Sequence, residues 1–124
     1  MRWLVDGMNV IGTRPDGWWK DRHGAMTRLV DLLERFSAAS GEDVTVIFEQ
    51  PPSPPISSPL VEVAHAPRPE ADAADKEIVR RLRADPDPEQ IRVVTSDHLL
   101  ADMSRAAGAL VEPAASFRAR LEDL

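Results

Sequence analysis

RWLVDG, the stretch at residues 2–7, decides how the rest of the sequence is interpreted. It is apolar up to Asp6, and Gly7 follows at once, a pattern that is typical of a buried strand entering a tight loop. We therefore predict a first strand with Asp6 at its carboxyl end.

Two later stretches repeat this arrangement of an apolar strand followed by a carboxylate. VTVIF at residues 44–48 is continuously apolar and β-branched, and Glu49 follows it. IRVVT at residues 91–95 is similar, and Ser96 and Asp97 come next. Continuous apolar runs of this length are typical of strands that are covered on both faces of a sheet.

A proline-rich segment and a short C-terminal run complete the predicted strands. Residues 51–69 hold seven of the 11 prolines, so this segment cannot be helical. We expect a rigid loop around an edge strand near residues 60–64, because proline is tolerated at sheet edges. A last strand is predicted at residues 109–111.

Helical periodicity fills the intervals between these strands. Apolar residues recur at helical spacing from Met26 to Phe36, with Asp21 available as an N-cap and Gly41 to end the helix. Three more helices are predicted, from Asp72 to the Asp85-Pro86 stop, at residues 99–107 and at residues 116–124. Alternating strands and helices indicate the α/β class, with right-handed crossovers, a mostly parallel sheet and helices on both of its faces.

Composition narrows the classes of function. A chain of 124 residues with 43% hydrophobic content suits one domain spanning residues 1–124. The absence of cysteine excludes disulfides and thiolate chemistry, and no apolar run approaches the roughly 20 residues that span a bilayer. We expect a cytoplasmic protein without a membrane partner. A net charge of −6 argues against a broad nucleic-acid-binding surface, so any contact with RNA should be local.

The acidic residues are predicted to meet at one edge of the sheet. Ligands of open α/β sheets bind outside the carboxyl ends of the strands, where Asp6 and Asp97 stand, and Asp75 begins the helix leading into the fourth strand. Asp102, one turn beyond Asp97, and Asn9 are further candidates. Two unit charges 4 Å apart repel by about 4 kcal/mol at an effective dielectric near 20, so a cation is expected. Oxygen-only ligands favour Mg²⁺ or Mn²⁺, which can activate water against a phosphoryl group.

Two motifs resemble the NYN (YacP-like) branch of the PIN-like ribonucleases, and the resemblance covers nearly the whole chain. They are VDGMNVIG at residues 5–12 and VTSD at residues 94–97. The resemblance implies a PIN-like three-layer α/β/α sandwich with strand order 3-2-1-4-5, and the activity of a metal-dependent endoribonuclease. By position it places Asp6 and Asn9 at the metal site, together with Asp97.

The chain departs from the family pattern at two positions. ADKEI at residues 74–78 is similar to the family's Ala-Asp-Asp-x-Ile element, so Asp75 is carried over while Lys76 replaces the second acid. Glu49 stands where the family commonly has an aspartate. Asp72, one helical turn before Asp75, and Glu49 are therefore candidate accessory ligands. The predicted catalytic set is Asp6, Asn9, Asp75 and Asp97, and the predicted metal ligands are Asp6, Asp75, Asp97 and Asp102.

Candidate RNA contacts lie in the loop before the first long helix. Trp18 and Trp19 can stack on bases, and the neighbouring cations can bind phosphates. Loop tryptophans also serve as packing anchors, and we expect one to be buried and one available. The predicted RNA-binding residues are Arg14, Trp18, Trp19, Lys20, Arg22 and Lys76. The expected partner is RNA, with ribosome-associated messenger RNA as one candidate, and the chain is a monomer or a homodimer.

Structural interpretations compete with these site assignments. Asp6 followed by glycine is common in turns, Asp75 favours the helix dipole, and Asp102 is equally consistent with a solvent-facing residue. Ser96 is predicted to cap the following helix.

Other functions also compete with cleavage of RNA. A metal-dependent phosphatase or a receiver-like switch would share the fold class, but Asn9 breaks the Asp-x-Asp pair of the former, and no phosphoacceptor follows the third strand. An RNA-binding module that has lost cleavage is the third hypothesis, which Lys76 and Glu49 make plausible.

Overall fold

The computed structural model describes residues 1–70 and 72–124. It contains a five-stranded sheet in which every neighbouring pair of strands is parallel, with the order β3-β2-β1-β4-β5. The strands are β1 (Arg2–Asp6), β2 (Asp43–Phe48), β3 (Val61–His65), β4 (Ile91–Val94) and β5 (Leu110–Glu112). The predicted α/β class and strand order are confirmed.

The register of the three central strands brings their carboxyl ends level. Asp6 lies opposite Ile47 of β2, and Val5 lies opposite Val94 of β4. The residues that follow these strands therefore emerge at the same edge of the sheet, which is the physical basis for the predicted convergence of acids.

Helices cover both faces of the sheet and produce the three layers. They are α1 (Gly7–Ile11), α2 (Arg22–Ser40), α3 (Ala73–Ala84), α4 (His98–Ala106) and α5 (Ala114–Glu122), with single 3₁₀ turns at Trp18–Lys20 and Pro88–Gln90. Buried residues of α1, α2 and α5 form one core with one face of the sheet, and those of α3 and α4 form a second core on the other face. None of these helices, in the ranges described, is long and apolar enough to cross a bilayer.

The first long helix, α2, begins after the predicted N-cap Asp21 and ends before Gly41, as expected. The side chain of Asp21 accepts a hydrogen bond from the Gly24 N–H at 3.0 Å, and Gly41 adopts a left-handed φ of 73° after the last turn. An N-cap of this kind contributes about 1 kcal/mol, and glycine takes the left-handed conformation without steric cost. These local signals explain why α2 could be predicted closely.

The tight loop predicted after Asp6 is wrong, because α1 starts directly at Gly7. A Cβ added to Gly7 would lie only 2.5 Å from Cε1 of Phe48. Gly7 is therefore required by the close approach of α1 to β2, and not by a turn. Smaller shifts occur at the C-terminus, where the last strand begins at Leu110 and the last helix at Ala114.

Candidate active site

A polar pocket opens at the carboxyl edge of the sheet. Its volume is about 250 Å³, and its lining comes from β1, α1 and the residues that follow β2 and β4, together with the start of α3. The lining residues are Asp6, Met8, Asn9, Glu49, Asp72, Asp75 and Asp97. Within the described part of the chain, five carboxylates and no lysine or arginine line this pocket.

Asp6 is the most buried acid of the pocket, with 6% of its surface exposed. Its Oδ2 accepts a hydrogen bond from the Thr95 hydroxyl at 3.1 Å. Burial, with the charges of Asp75 and Glu49, raises the pKa of Asp6 to about 7, although hydrogen bonds from Thr95 and the Asn9 backbone oppose the rise. The carboxylate is thus held in place, but its charge is poorly compensated.

Asp75 lies in the first turn of α3 and is half-buried. Burial raises its pKa to about 6, and the charges of Asp97, Asp72 and Glu49 act in the same direction. The charged groups that raise the pKa of Asp75 are therefore all acids that line the same pocket.

Asp97 is the N-cap of α4, because its Oδ1 accepts a hydrogen bond from the Leu100 N–H at 2.8 Å. The prediction that Ser96 caps this helix is wrong. The helix begins one residue later than Ser96 would require, and the Ser96 hydroxyl instead accepts from the Ala114 N–H at 3.0 Å. Asp97 therefore combines a structural role with a place in the pocket wall.

Two side chains connect the strand ends and were not foreseen in this role. Asn9 Oδ1 accepts from the Ser96 N–H at 2.7 Å, which ties α1 to the connection after β4. Thr95 donates to Asp6 and accepts from the Asp97 N–H at 3.1 Å, so one hydroxyl positions two of the acids. The sequence signals only the second of these contacts, because Thr95 stands two residues before an aspartate that caps a helix.

The other predicted acids occupy different environments. Glu49 is exposed at the end of β2, and Asp72 precedes α3 with a left-handed φ of 61°. Both line the pocket. Asp102, a predicted metal ligand, does not line the pocket. Its side chain is 78% exposed on α4, and its carboxylate lies 3.7 Å from the Arg105 guanidinium.

The chemistry of these residues fits a hard divalent cation. The donors are oxygens, most of them anionic, and two of the carboxylates have raised pKa values in the absence of a cation. As the side chains stand, no three acids or histidines among the described residues are close enough together to chelate one ion directly. Because Mg²⁺ usually keeps several water ligands, bridging waters or small side-chain rotations would complete such a site.

The six residues predicted to contact RNA do not line the acidic pocket, and they differ in exposure and in pairing. Trp18 packs against the core beneath the Arg22 guanidinium, whose carbon is 5.3 Å from the ring centroid, whereas Trp19 is 54% exposed. Trp18 is thus only partly buried, where we expected one buried tryptophan, and Trp19 is the available one. Arg14 pairs with Glu122, Lys76 pairs with Glu70 at 2.9 Å, and Lys20 is exposed.

The all-parallel sheet of this order, with acids lining a pocket at its carboxyl edge, fits the PIN-like class of ribonuclease folds. Residues 3–124 match the YacP-like NYN domain, and the chain belongs to this family. Because this is a family of ribonucleases, membership supports nuclease activity for the chain at the level of the family.

Two solved structures of Rae1 (YacP) from Bacillus subtilis are similar to the chain. The W164L mutant superimposes with a TM-score of 0.82 at 25% identity, covering 98% of this chain and 75% of that protein. A second structure of Rae1 gives 0.80 at 26% identity, covering 99% and 74%. No curated protein sequence matches the chain.

Proposed function

We propose that this protein is an endoribonuclease that hydrolyses phosphodiester bonds of RNA with Mg²⁺ or Mn²⁺ bound in the acidic pocket. The observation that carries the proposal is a pocket lined by five carboxylates from separate segments without a lysine or arginine among the described residues. Such a concentration of negative charge is costly unless a cation neutralises it or protons bind. Asp6, Asp75 and Asp97 are the proposed ligands, with Glu49 and Asp72 as accessory acids.

When bound, the cation would supply an activated water and stabilise charge on the phosphoryl oxygens. The residues of the chain supply the geometry. Thr95 and the backbone of Asn9 hold the Asp6 carboxylate at a fixed position, and the cap at the start of α4 holds Asp97. The Asn9 side chain braces the connection that carries Asp97. No side-chain nucleophile is required.

Lys76 does not neutralise the proposed site, although it replaces an acid of the family pattern. Its ammonium group pairs with Glu70 at 2.9 Å, and it is absent from the lining of the acidic pocket. The substitution therefore removes one carboxylate without bringing a positive charge into the pocket. The five remaining carboxylates still give the pocket the negative charge and the oxygen ligands that a divalent cation needs.

The direct test is cleavage of single-stranded RNA by Asp6→Asn and Asp97→Asn in Mg²⁺ or Mn²⁺. Metal-ion stabilisation is worth several kcal/mol, so each variant should cleave about a thousandfold more slowly. Asp102→Asn is the matched control, since it changes an exposed aspartate on α4 outside the pocket and should cleave like the unmodified protein. Cleavage by Asp6→Asn at the unmodified rate would refute the proposal.

A second candidate function is an RNA-binding NYN module with weak or no catalysis, favoured by Lys76 and Glu49 in place of two aspartates. In that case the unmodified protein would bind RNA without cutting it, and Asp6→Asn would leave binding unchanged. We further propose that residues 1–124 act as one domain, in the cytoplasm, on RNA for which ribosome-associated messages are one candidate. The active unit would be a monomer or a homodimer.

A further inference from the structure

An apolar groove lies between α3 and α4, next to the acidic pocket. Its volume is about 660 Å³, and its floor includes Val79, Leu100 and Met103. Leu99 also lines it, although 69% of that residue is exposed to solvent. An exposed leucine beside a preformed apolar groove is suited to contact with a ligand, because its burial would be favourable only on binding.

The groove is continuous with the acidic pocket. Asp72 and Asp75 line both cavities, so a ligand lying in the groove reaches the carboxylates directly. On the opposite side, Met8 and Glu49 line both the pocket and a third cleft of about 290 Å³. The acidic pocket therefore has a neighbouring cavity on each side with which it shares two lining residues.

The charges on the groove complement an anionic chain. Lys76, Arg80 and Arg83 line it, in addition to Asp72 and Asp75 at its border with the pocket. Lys76 is paired with Glu70 and Arg80 with Glu77, but Arg83 makes no ion pair with any residue in the ranges described. Arg83 is exposed near the end of α3 and can therefore contact a phosphate at little cost in desolvation.

From these observations we propose that the groove between α3 and α4 binds one nucleotide of a single-stranded RNA adjacent to the phosphate cleaved in the acidic pocket. The base contacts Leu99 and Met103, and the backbone phosphate contacts Arg83. Apolar contact to a base face is tolerant of sequence, so this subsite positions RNA without selecting a particular base. The inference rests on the proposed function, because it assumes an RNA substrate.

The groove is tested by binding, independently of cleavage. Fluorescence anisotropy with a labelled 10-nucleotide single-stranded RNA of mixed sequence, in EDTA, compares Leu99→Glu and Arg83→Glu with the unmodified protein. Each variant should weaken binding about tenfold, which corresponds to the loss of one buried side-chain contact or one charge-assisted contact. Both residues are exposed, so the fold should be retained, and thermal unfolding verifies it.

Matched controls make the same chemical changes elsewhere. Leu60→Glu alters a leucine that is 48% exposed in a cavity near the amino ends of β1 and β2. Arg35→Glu alters an exposed arginine of α2, a helix of the core on the other face of the sheet from α3 and α4. Both controls should bind within about twofold of the unmodified protein, since neither removes a contact of the groove.

The outcomes separate the groove from the nuclease proposal. If both groove variants bind RNA like the unmodified protein while Asp6→Asn abolishes cleavage, the groove assignment is overturned and the proposed function stands. If the controls weaken binding as much as the groove variants, the effect is general electrostatics and the assignment is also overturned. If the unmodified protein neither binds nor cleaves RNA, both proposals fail together.

Discussion

Asp6 and Glu77 are carboxylates with nearly the same burial and opposite electrostatics. They are 6% and 5% exposed. Burial and the charge of Asp75 raise the pKa of Asp6 to about 7, whereas hydrogen bonds from Arg80 hold the pKa of Glu77 at about 2, with help from Arg81. The exposed fraction of the side chain alone therefore does not distinguish the site. What distinguishes it is the lack of a cationic partner for a buried acid.

One helix carries both environments. Asp75 and Glu77 are two residues apart in α3, so they point to different sides of the helix. Asp75 faces the other acids of the pocket, while Glu77 accepts from Arg80 at 2.7 and 2.8 Å and from Arg81 at 2.8 Å. Glu77 therefore has two arginine partners, whereas no arginine within residues 1–70 and 72–124 lines the pocket that contains Asp75. This difference is what we expect if Asp75 belongs to the proposed metal site.

Asp6→Asn should produce the largest change in stability when metal is absent. Because the folded pKa of Asp6 is raised, ionisation destabilises the folded state, and stability should fall as the pH rises from about 4 to about 7. The asparagine does not ionise and avoids this loss, so the variant should gain about 4 kcal/mol at pH 8 in EDTA. Urea unfolding across this pH range measures the difference.

Divalent ions should narrow this difference in stability between the two proteins. Saturating Mn²⁺ would stabilise the unmodified protein by binding the folded state, by about 2.7 kcal/mol at 100 times the dissociation constant. The Asp6→Asn variant should gain much less. Equal stabilisation of both proteins by Mn²⁺ would place the ion away from Asp6 and contradict the proposed ligand set.

Glu77→Gln should have the opposite sign and a smaller size. The lowered pKa of Glu77 means that its charge stabilises the fold above about pH 4.5, and this contribution is lost as the pH falls towards 2. Since Arg80 is largely exposed, we expect a loss of about 2 kcal/mol at pH 7. Urea unfolding of the two proteins should give equal stabilities near pH 2. A difference that persisted at that pH would indicate lost packing instead of lost charge.

Much of the fold could be predicted because its signals are local. Asp21 and Gly41 mark the ends of α2, and the apolar runs of β1 and β4 are unambiguous, while the strand order followed from the family resemblance. Helix α1 was missed because five residues are too few to show helical periodicity, and because the reason for Gly7 is its contact with Phe48. That contact joins residues far apart in the sequence.

The candidate site, like the fold, has a part that could be predicted from the sequence and a part that could not. Asp6, Asp75 and Asp97 could be grouped because strand topology alone brings such positions to one edge. The role of Thr95 could not be assigned, since its partner Asp6 is 89 residues away and the hydrogen bond depends on the register of β1 and β4. The groove between α3 and α4 likewise depends on how two helices pack, which periodicity does not specify.

Thr95→Val tests whether the Thr95 hydroxyl stabilises the ionised form of Asp6 and so lowers its pKa. The substitution preserves shape but removes the donor to Asp6 and the acceptor for the Asp97 N–H, for a cost of about 1 kcal/mol. Because the Thr95 hydrogen bond lowers the pKa of Asp6, its loss should move the carboxyl titration to higher pH, as measured by ¹³C NMR in EDTA. Thr95→Ser keeps the hydroxyl and should titrate like the unmodified protein. An unchanged titration in Thr95→Val would show that the Thr95 hydroxyl does not lower the pKa of Asp6.

The smallest effect is expected at Asp72, where the backbone and the charge oppose each other. Its φ of 61° lies in the left-handed region, which aspartate tolerates and glycine adopts without steric cost. Asp72→Gly should therefore be more stable by about 0.5 kcal/mol, while Asp72→Ala, which lacks this tolerance, should be less stable by about 1 kcal/mol. Both variants remove the same charge, which raises the pKa of Asp75, so both should lower that pKa equally. Thermal unfolding reports the backbone and NMR titration reports the charge. Equal stability of the glycine and alanine variants would mean that the left-handed backbone of Asp72 carries no strain.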